Sequence, residues 1–493
     1  MKQLFTWIVF ILFACGTFVY LMFMINSSFG TIENYQQFDT NKMKEFIVEK
    51  RTRQAIQRKQ IENIQNLFDE KCLVVEFSKN GNQCNAERDP QKCVYSVDPY
   101  DLYDPACLEY VKEKYQEIPE DGVRAIYMSS YVASNKSFRD SLVRLVETTD
   151  LNAIVIDIKE VEGYVNYHIE DKTGEQFPYQ RNLMFDIEQF IEELHEKDIY
   201  VIGRIVVFKD GLWAQDNPGD AVQKKSASGV PWKDYGEKTY VDPGARDYWD
   251  YIIAIADTAY RSGFDEINLD YIRYPSDGNM EDTFYPHSDD VLIEYGLEDG
   301  RVAIINDFSQ YVTRNLREKH PEITISGDVF GMVSTARDDV TIGQRLEPML
   351  LAYDYISPMV YPSHYQEGFI TLPGHPDLYP YEVVYKAQQT AQERSDALRV
   401  RLGQIQISFA TTTDTILQDI LGTHTEHKNT DIDNIKVGAL RPWLQDFTCT
   451  WCKTSKPYQA VEIQAQIDAT LDAGQQGWML WDAGNRYRGY RAI

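Results

Sequence analysis

The chain has 493 residues, 43% hydrophobic and 25% charged, which is the balance of a globular protein and excludes a disordered or fibrous one. With 49 basic and 76 acidic residues the net charge is −27, and most of it falls after Glu120. So acidic a body repels phosphate backbones, which excludes nucleic acid as a natural partner.

Leu4–Ile25 (LFTWIVFILFACGTFVYLMFMI) runs 22 residues without a charge, enough to span a bilayer. Lys2 precedes it while Glu33 and Asp39 follow, so the positive-inside rule leaves the N-terminus in the cytoplasm and exports the body. A cleaved signal peptide needs an A-x-A-like site, and none is present. Leu12-Phe13-Ala14-Cys15 resembles a lipoprotein box, but the apolar run continues for ten residues beyond Cys15. An uncleaved signal anchor in residues 1–30 is therefore expected. It makes the chain a single-pass protein of the cytoplasmic membrane with its body outside the cytoplasm.

Residues 31–70 read as a helical stalk, with Met43, Phe46, Ile47, Ile56, Ile61, Ile64, Leu67 and Phe68 at helical spacing among mixed charges. A coiled coil would need more regular heptads. Residues 71–120 form a small Cys-rich module. Cys72, Cys84, Cys93 and Cys107 crowd a loop-rich stretch with little core, and two disulfides of open pairing are expected there. Further on, Cys449-Thr-Trp-Cys452 is a C-x-x-C pair without a second pair. It reads as a local disulfide or two free thiols rather than thioredoxin-like chemistry or half a zinc site.

From residue 121 to 493 short β-branched runs alternate with helical stretches. The predicted strands are Val123–Ser129, Ala153–Lys159, Tyr200–Phe208, Glu266–Tyr271, Thr324–Phe330, Tyr355–Tyr361, Arg401–Ile407 and Trp478–Asp482. Helices are expected over Ser137–Thr148, Asp186–Lys197, Ala245–Ser262, Arg301–Lys319 and Val461–Ala473. Eight such repeats imply an α/β fold, a (β/α)8 TIM barrel with long loops. A doubly wound open sheet is the alternative, weakened because no G-x-G-x-x-G follows the first strand.

Alternation along the strands points to chemistry. Ile267 and Leu269 face opposite to Glu266, Asn268 and Asp270, and Ile325 and Val329 face opposite to Thr324, Ser326 and Asp328. Ile154, Ile156 and Ile158 likewise oppose Val155 and Asp157. The apolar sets belong under the helices, which turns the polar sets into a lumen where a purely structural core prefers Val, Ile and Leu. Buried carboxylates need partners or a purpose. Because barrel sites gather at the C-terminal strand ends, Asp157, Asp270, Asp328, Tyr361 and Asp482 are favoured over the deeper Glu266 and Asn268. Arg204 also faces inward and is expected to pair with Glu266. Asp270 and Asp328 end neighbouring strands in one lumen, and two facing carboxyl groups are what glycoside hydrolysis requires.

The blocks NAIVIDIKEVEGYVNY, IYVIGRIVVFKD, GFDEINLDYIRYP, ISGDVFG, IGQRLEP, YISPMVYPSHY, PYEVV, RPWLQDF and GWMLWDAGN occur in this order. Together they resemble the glycoside hydrolase-like family known as domain of unknown function 4015, over nearly all of Val123–Asn485. The resemblance implies a carbohydrate-active TIM barrel, distantly similar to α-amylase-like and α-galactosidase-like hydrolases. It implies Asp270 as nucleophile or base and Asp328 as general acid, the latter in place of the longer Glu of amylase-like enzymes. Strand two departs from the expected pattern but keeps its acidity in Glu160 and Glu162. The substrate-binding candidates are Asp157, Arg204, Arg273, Tyr361, His364, Gln445, Asp446, Trp481 and Asp482, with Trp443 and Trp481 offering faces for pyranose stacking.

Other motifs are weaker. His424 and His427 lack a third ligand, and the acidic loop Asp277, Glu281, Asp282, Asp289 and Asp290 lacks calcium-loop spacing. No metal and no cofactor is expected. With no G-x-S-x-G and no Walker loop, esterase and nucleotide chemistry are disfavoured. The expectation is a membrane-anchored glycoside hydrolase acting on an extracellular or cell-envelope polysaccharide or oligosaccharide. Its rivals are a non-catalytic glycan-binding barrel and a cell-surface scaffold.

Overall fold

The computed structural model describes residues 114–167, 178–181, 183, 186–407, 436–452 and 454–493. Outside these it describes only two paired strands, Phe77–Ser78 and Cys93–Val94, in a first compact unit of residues 1–96. The expected anchor Leu4–Ile25, the stalk, the bridges of the Cys-rich module and the pair His424 and His427 lie outside the described residues. Among the described residues no helix is long and apolar enough to cross a membrane.

The second unit, residues 97–493, holds eight parallel strands. They are β1 (Arg124–Met128), β2 (Ala153–Lys159), β3 (Tyr200–Val206), β4 (Glu266–Asp270), β5 (Thr324–Phe330), β6 (Tyr355–Val360), β7 (Trp443–Gln445) and β8 (Trp478–Trp481). Each pairs with the next, and β8 pairs back onto β1 through Trp478↔Arg124 and Leu480↔Ile126, so the sheet closes. The helices between them include α1 (Lys136–Glu147), α2 (Ile187–His195), α3 (Arg246–Arg261), α4 (Leu297–Lys319), α5 (Leu346–Ala352), α6 (Pro380–Ile407) and α7 (Ala460–Asp472). This is the closed barrel that the alternating pattern predicts.

Local chemistry sets the helix starts. Asn135 and Asp186 accept the N–H groups of Phe138 and Gln189, both at 3.1 Å, and Gln459 with Glu462 forms a capping box on α7. Ile154, Ile156 and Ile158 of β2 and Ile267 and Leu269 of β4 are fully buried under the helices, each contributing roughly 1.5–3 kcal/mol. A second, smaller cluster fills the lumen, with Val123, Ala125, Tyr127, Val155, Tyr200, Ile202, Tyr361, Trp443 and Met479.

One expected strand is a helix. Arg401–Ile407 is the end of α6, a continuous helix of 28 residues. Leu398 and Leu402 are buried while Val400 between them is 61% exposed. A strand would put all three on one face; spacing of four is helical. The seventh strand is instead the three-residue β7, preceded by the two-residue strand Ala439–Leu440 that pairs with the start of β6.

Candidate active site

Strand register sets the levels of the lumen charges, and hydrogen bonds show which of them meet. Arg204 lies level with Asp157 on one side and Asn268 on the other, whereas Glu266 lies level with Ile202, one inward position deeper. Asp270 lies level with Val206, one inward position higher, and Arg204 turns to it rather than to Glu266, with which its inward parity alone suggested a pair. Its Nη1 donates to Oδ1 of Asp157 at 2.6 Å, and its Nη2 and Nε donate to Oδ2 of Asp270 at 2.5 and 3.1 Å. Glu266 is held instead by Arg441, whose Nη1 lies 3.1 Å from Oε2, and by the Ser326 hydroxyl at 2.5 Å. The lumen thus has two charge layers, the ion pair Glu266–Arg441 beneath and three aspartates around Arg204 above.

Asp328 is the third of these aspartates. Gly327 is level with Leu269, so Asp328 and Asp270 are the next residues on adjacent strands. Oδ1 of Asp328 accepts the Asn268 amide and the Trp443 indole N–H, both at 2.9 Å. It is 1% exposed against 5% for Asp270. Burial, with the charge of Asp270 beside it, pushes its pKa up to about 8, so it carries a proton at neutral pH. Burial also raises Asp157, against the pull of Arg204 and of the Tyr127 hydroxyl that donates to it.

Asp270 ends β4 at a bend. Tyr271 has φ of 54°, a left-handed conformation uncommon outside glycine, and its N–H donates to Oδ1 of Asp270 at 2.6 Å. Arg273 is buried between the rings of Tyr271 and Phe330, 4.6 Å from each centroid, and donates to the Tyr274 carbonyl at 3.1 Å. It braces the loop below the bend.

The remaining candidates divide. Tyr361 and Trp481 line the carboxylate layer. Burial and the charges of Asp328 and Asp270 hold the Tyr361 phenol well above its ordinary pKa, which keeps it a proton donor in hydrogen bonds. Trp481 is half-buried, stacks on Tyr127 at 4.1 Å, and has the Arg204 guanidinium 5.2 Å from its ring centre. His364 is exposed at the rim, 5.4 Å from Tyr361 between ring centres.

Gln445, Asp446 and Asp482, expected as sugar ligands, spend their polar atoms on the protein. Gln445 accepts the Ser363 hydroxyl at 2.8 Å and donates to the Phe447 carbonyl at 2.9 Å. Asp446 accepts the N–H groups of Gly489 and Tyr490 at 3.0 and 3.1 Å, and burial raises its pKa to about 7. Asp482 accepts the N–H groups of Gly484, Arg486 and Tyr487 at 2.7–2.9 Å. Trp443, expected as a stacking face, is 1% exposed and serves as a hydrogen-bond donor. Tyr127 was not singled out in the sequence, although its inward parity with Val123 and Ala125 marks it.

A cleft of about 600 Å³ lies among the loops after β2 and β3, lined by Glu162, Tyr164, Leu212, Lys233 and Lys238 among others. The aspartates are not part of its lining. Among the described residues no three acidic, histidine or cysteine side chains group as metal ligands.

The family model described as "Putative glycosyl hydrolase domain" matches residues 125–407 and 404–487. The chain belongs to this family. Its barrel is therefore a glycosyl hydrolase domain. A hypothetical protein from Ruminiclostridium thermocellum is 31% identical over 41% of this chain and 97% of its own, with a TM-score of 0.34. The glycoside hydrolase domain of PgaB (BpsB) from Bordetella bronchiseptica is 12% identical over 74% of this chain and 94% of its own, with a TM-score of 0.48. Alpha-L-fucosidase isoenzyme 2 from Paenibacillus thiaminolyticus is 12% identical over 74% of this chain and 47% of its own, with a TM-score of 0.43. No curated protein matches the sequence.

Proposed function

We propose that this chain is a membrane-anchored glycoside hydrolase whose barrel acts outside the cytoplasm on a polysaccharide, with Asp270 and Asp328 as the catalytic pair. The observation that carries this reading is the unequal environment of two carboxyl groups at one level of the lumen. Asp270 accepts two N–H groups of Arg204, while the hydrogen bonds to Asp328 come from the neutral donors Asn268 and Trp443 and the Arg204 charge reaches it only from a distance. Environments that push two carboxyl groups apart assign acid and base.

In the proposed reaction Asp328 protonates the glycosidic oxygen as its bond to the anomeric carbon breaks. Asp270 attacks the anomeric carbon directly in this reading, as the nucleophile of a retaining enzyme does. Asp270 then forms a glycosyl ester, and Asp328, now ionised, takes a proton from the water that cleaves it. Arg204 orients Asp270, and Tyr361 and Trp481 border the sugar.

Membrane attachment rests on Leu4–Ile25 with Lys2 before it. Low exposure of Asp270 and Asp328 favours a second reading, a barrel that binds glycan without cleaving it. The deciding experiment incubates the protein with a panel of polysaccharides and follows released reducing ends, with NMR of the first-formed anomer. Release that Asp270→Asn abolishes supports the hydrolase; binding without release supports the second reading.

A further inference from the structure

Trp451 has no part in the carboxylate layer, yet it is 75% exposed. It sits in the loop after β7, between Cys449 and Cys452, which form a disulfide. The C-x-x-C pair is thus a local bridge. Cys449 is fully buried, so the short ring that carries Trp451 is fixed to the core at one end. Closing a loop covalently removes chain freedom that an exposed tryptophan would otherwise retain.

The indole is not isolated. It lies nearly parallel to Phe447, with 13° between planes and 6.5 Å between centres. Phe447 meets Tyr361 edge-on at 5.5 Å and lies 5.9 Å from the His364 ring. Tyr361 in turn is close enough to Asp328 and Asp270 for their charges to act on its phenol. One row of rings therefore runs from the carboxylates outward to Trp451, rising from buried Tyr361 through half-buried Phe447.

We infer that Trp451, held by the Cys449–Cys452 bridge beside Phe447, is an outlying platform for a pyranose ring of the glycan chain. The inference rests on the proposed function in placing the reacting sugar at the Tyr361 end of the row. An exposed indole face is flat and apolar, and the C–H face of a pyranose is its natural partner. Continuity of the rings with the carboxylate layer selects a glycan over an unrelated protein partner. The platform makes binding depend on chain length, and reduction of the bridge releases the loop that aims it.

The test uses the full chain with malto-, cello- and chito-oligosaccharides of two to six units. Binding is followed by intrinsic fluorescence and cleavage by reducing ends. For whichever series the wild type binds, Trp451→Ala is expected to weaken the hexamer about tenfold and the dimer about twofold. Trp451→Phe should recover most of the loss, and the double variant Cys449→Ser, Cys452→Ser should approach Trp451→Ala. An unchanged melting temperature separates these losses from misfolding. Wild-type length dependence in Trp451→Ala overturns the platform, as does failure of the wild type to bind any oligomer. Length-dependent loss in a protein that binds but cleaves nothing sustains the platform and sinks the hydrolase. Normal cleavage with no length-dependent loss does the reverse.

Discussion

Trp443 donates its indole N–H to Oδ1 of Asp328 at 2.9 Å, from the opposite side of the lumen to Asn268. A buried tryptophan thereby fixes the carboxyl group that the mechanism needs as its acid. The pair orients Asp328 without bringing a positive charge to it, so burial is free to keep the proton on.

Removing the two carboxyl groups separates their roles. Asp270→Asn is expected to lower turnover on the order of 10³-fold or more on every substrate, since the charge that meets the oxocarbenium-like centre is gone. Asp328→Asn should cost as much with natural leaving groups but far less with an activated aryl glycoside, which hardly needs protonation. Parallel assays on both substrate types check this; equal losses on both for Asp328→Asn would count against its role as acid.

The raised pKa of Asp328 also predicts how stability follows pH. Its value of about 8 in the folded chain exceeds the ordinary 3.8. The folded state binds the proton more tightly, so this contribution is complete below about pH 4 and is lost as pH rises through 8. Asp328→Asn cannot lose that proton and keeps an oxygen for Trp443. Its melting temperature should gain on the wild type steadily from pH 4 to 8, by up to several kcal/mol in stability. Wild-type activity should fall above about pH 8 as the acid ionises.

The deeper charge layer gives a stability prediction with no catalytic part. Arg441→Met strands Glu266 in a lumen position with no exposed surface and should cost about 3–5 kcal/mol by denaturant unfolding. Adding Glu266→Gln should restore much of the loss, because the uncompensated charge is gone. A loss that persists in the double variant would mean that Arg441 acts through packing instead.

Exposure of the body outside the cytoplasm is open to direct measurement. Protease added to intact cells stripped of wall and any outer membrane should degrade the barrel. Full protection under those conditions would remove the export proposal.

The sequence carried the barrel because parity is local. Glu266-Ile267-Asn268-Leu269-Asp270 shows its two faces without any neighbour, and the structure keeps both. It did not carry β7, which is three residues long and follows Pro442, while Arg401–Ile407, with Leu402, Ile405 and Ile407 among polar residues, offered a longer strand-like stretch in the wrong place. Partners were illegible for a different reason. Arg204 lies level with Asn268, midway between Glu266 and Asp270, and which of them its side chain turns to is set by the other lumen charges, which no single strand encodes. Asp446 and Asp482 look like sugar ligands at strand ends; only the returning chain shows that they also accept backbone N–H groups.

Closure of the ring has a kinetic consequence. Asn485 takes the N–H of Ser129 at 2.9 Å across 356 positions, and Arg441 reaches Glu266 across 175. Contacts so distant in the chain are assembled late, after most of the entropy of bringing the ends together has been spent. Until β8 docks, β1 and β8 are bare strand edges able to recruit another copy. Substitutions at Arg441 or Asn485 should therefore hasten unfolding more than they slow folding, and aggregation during refolding should rise with protein concentration while the folded protein does not aggregate.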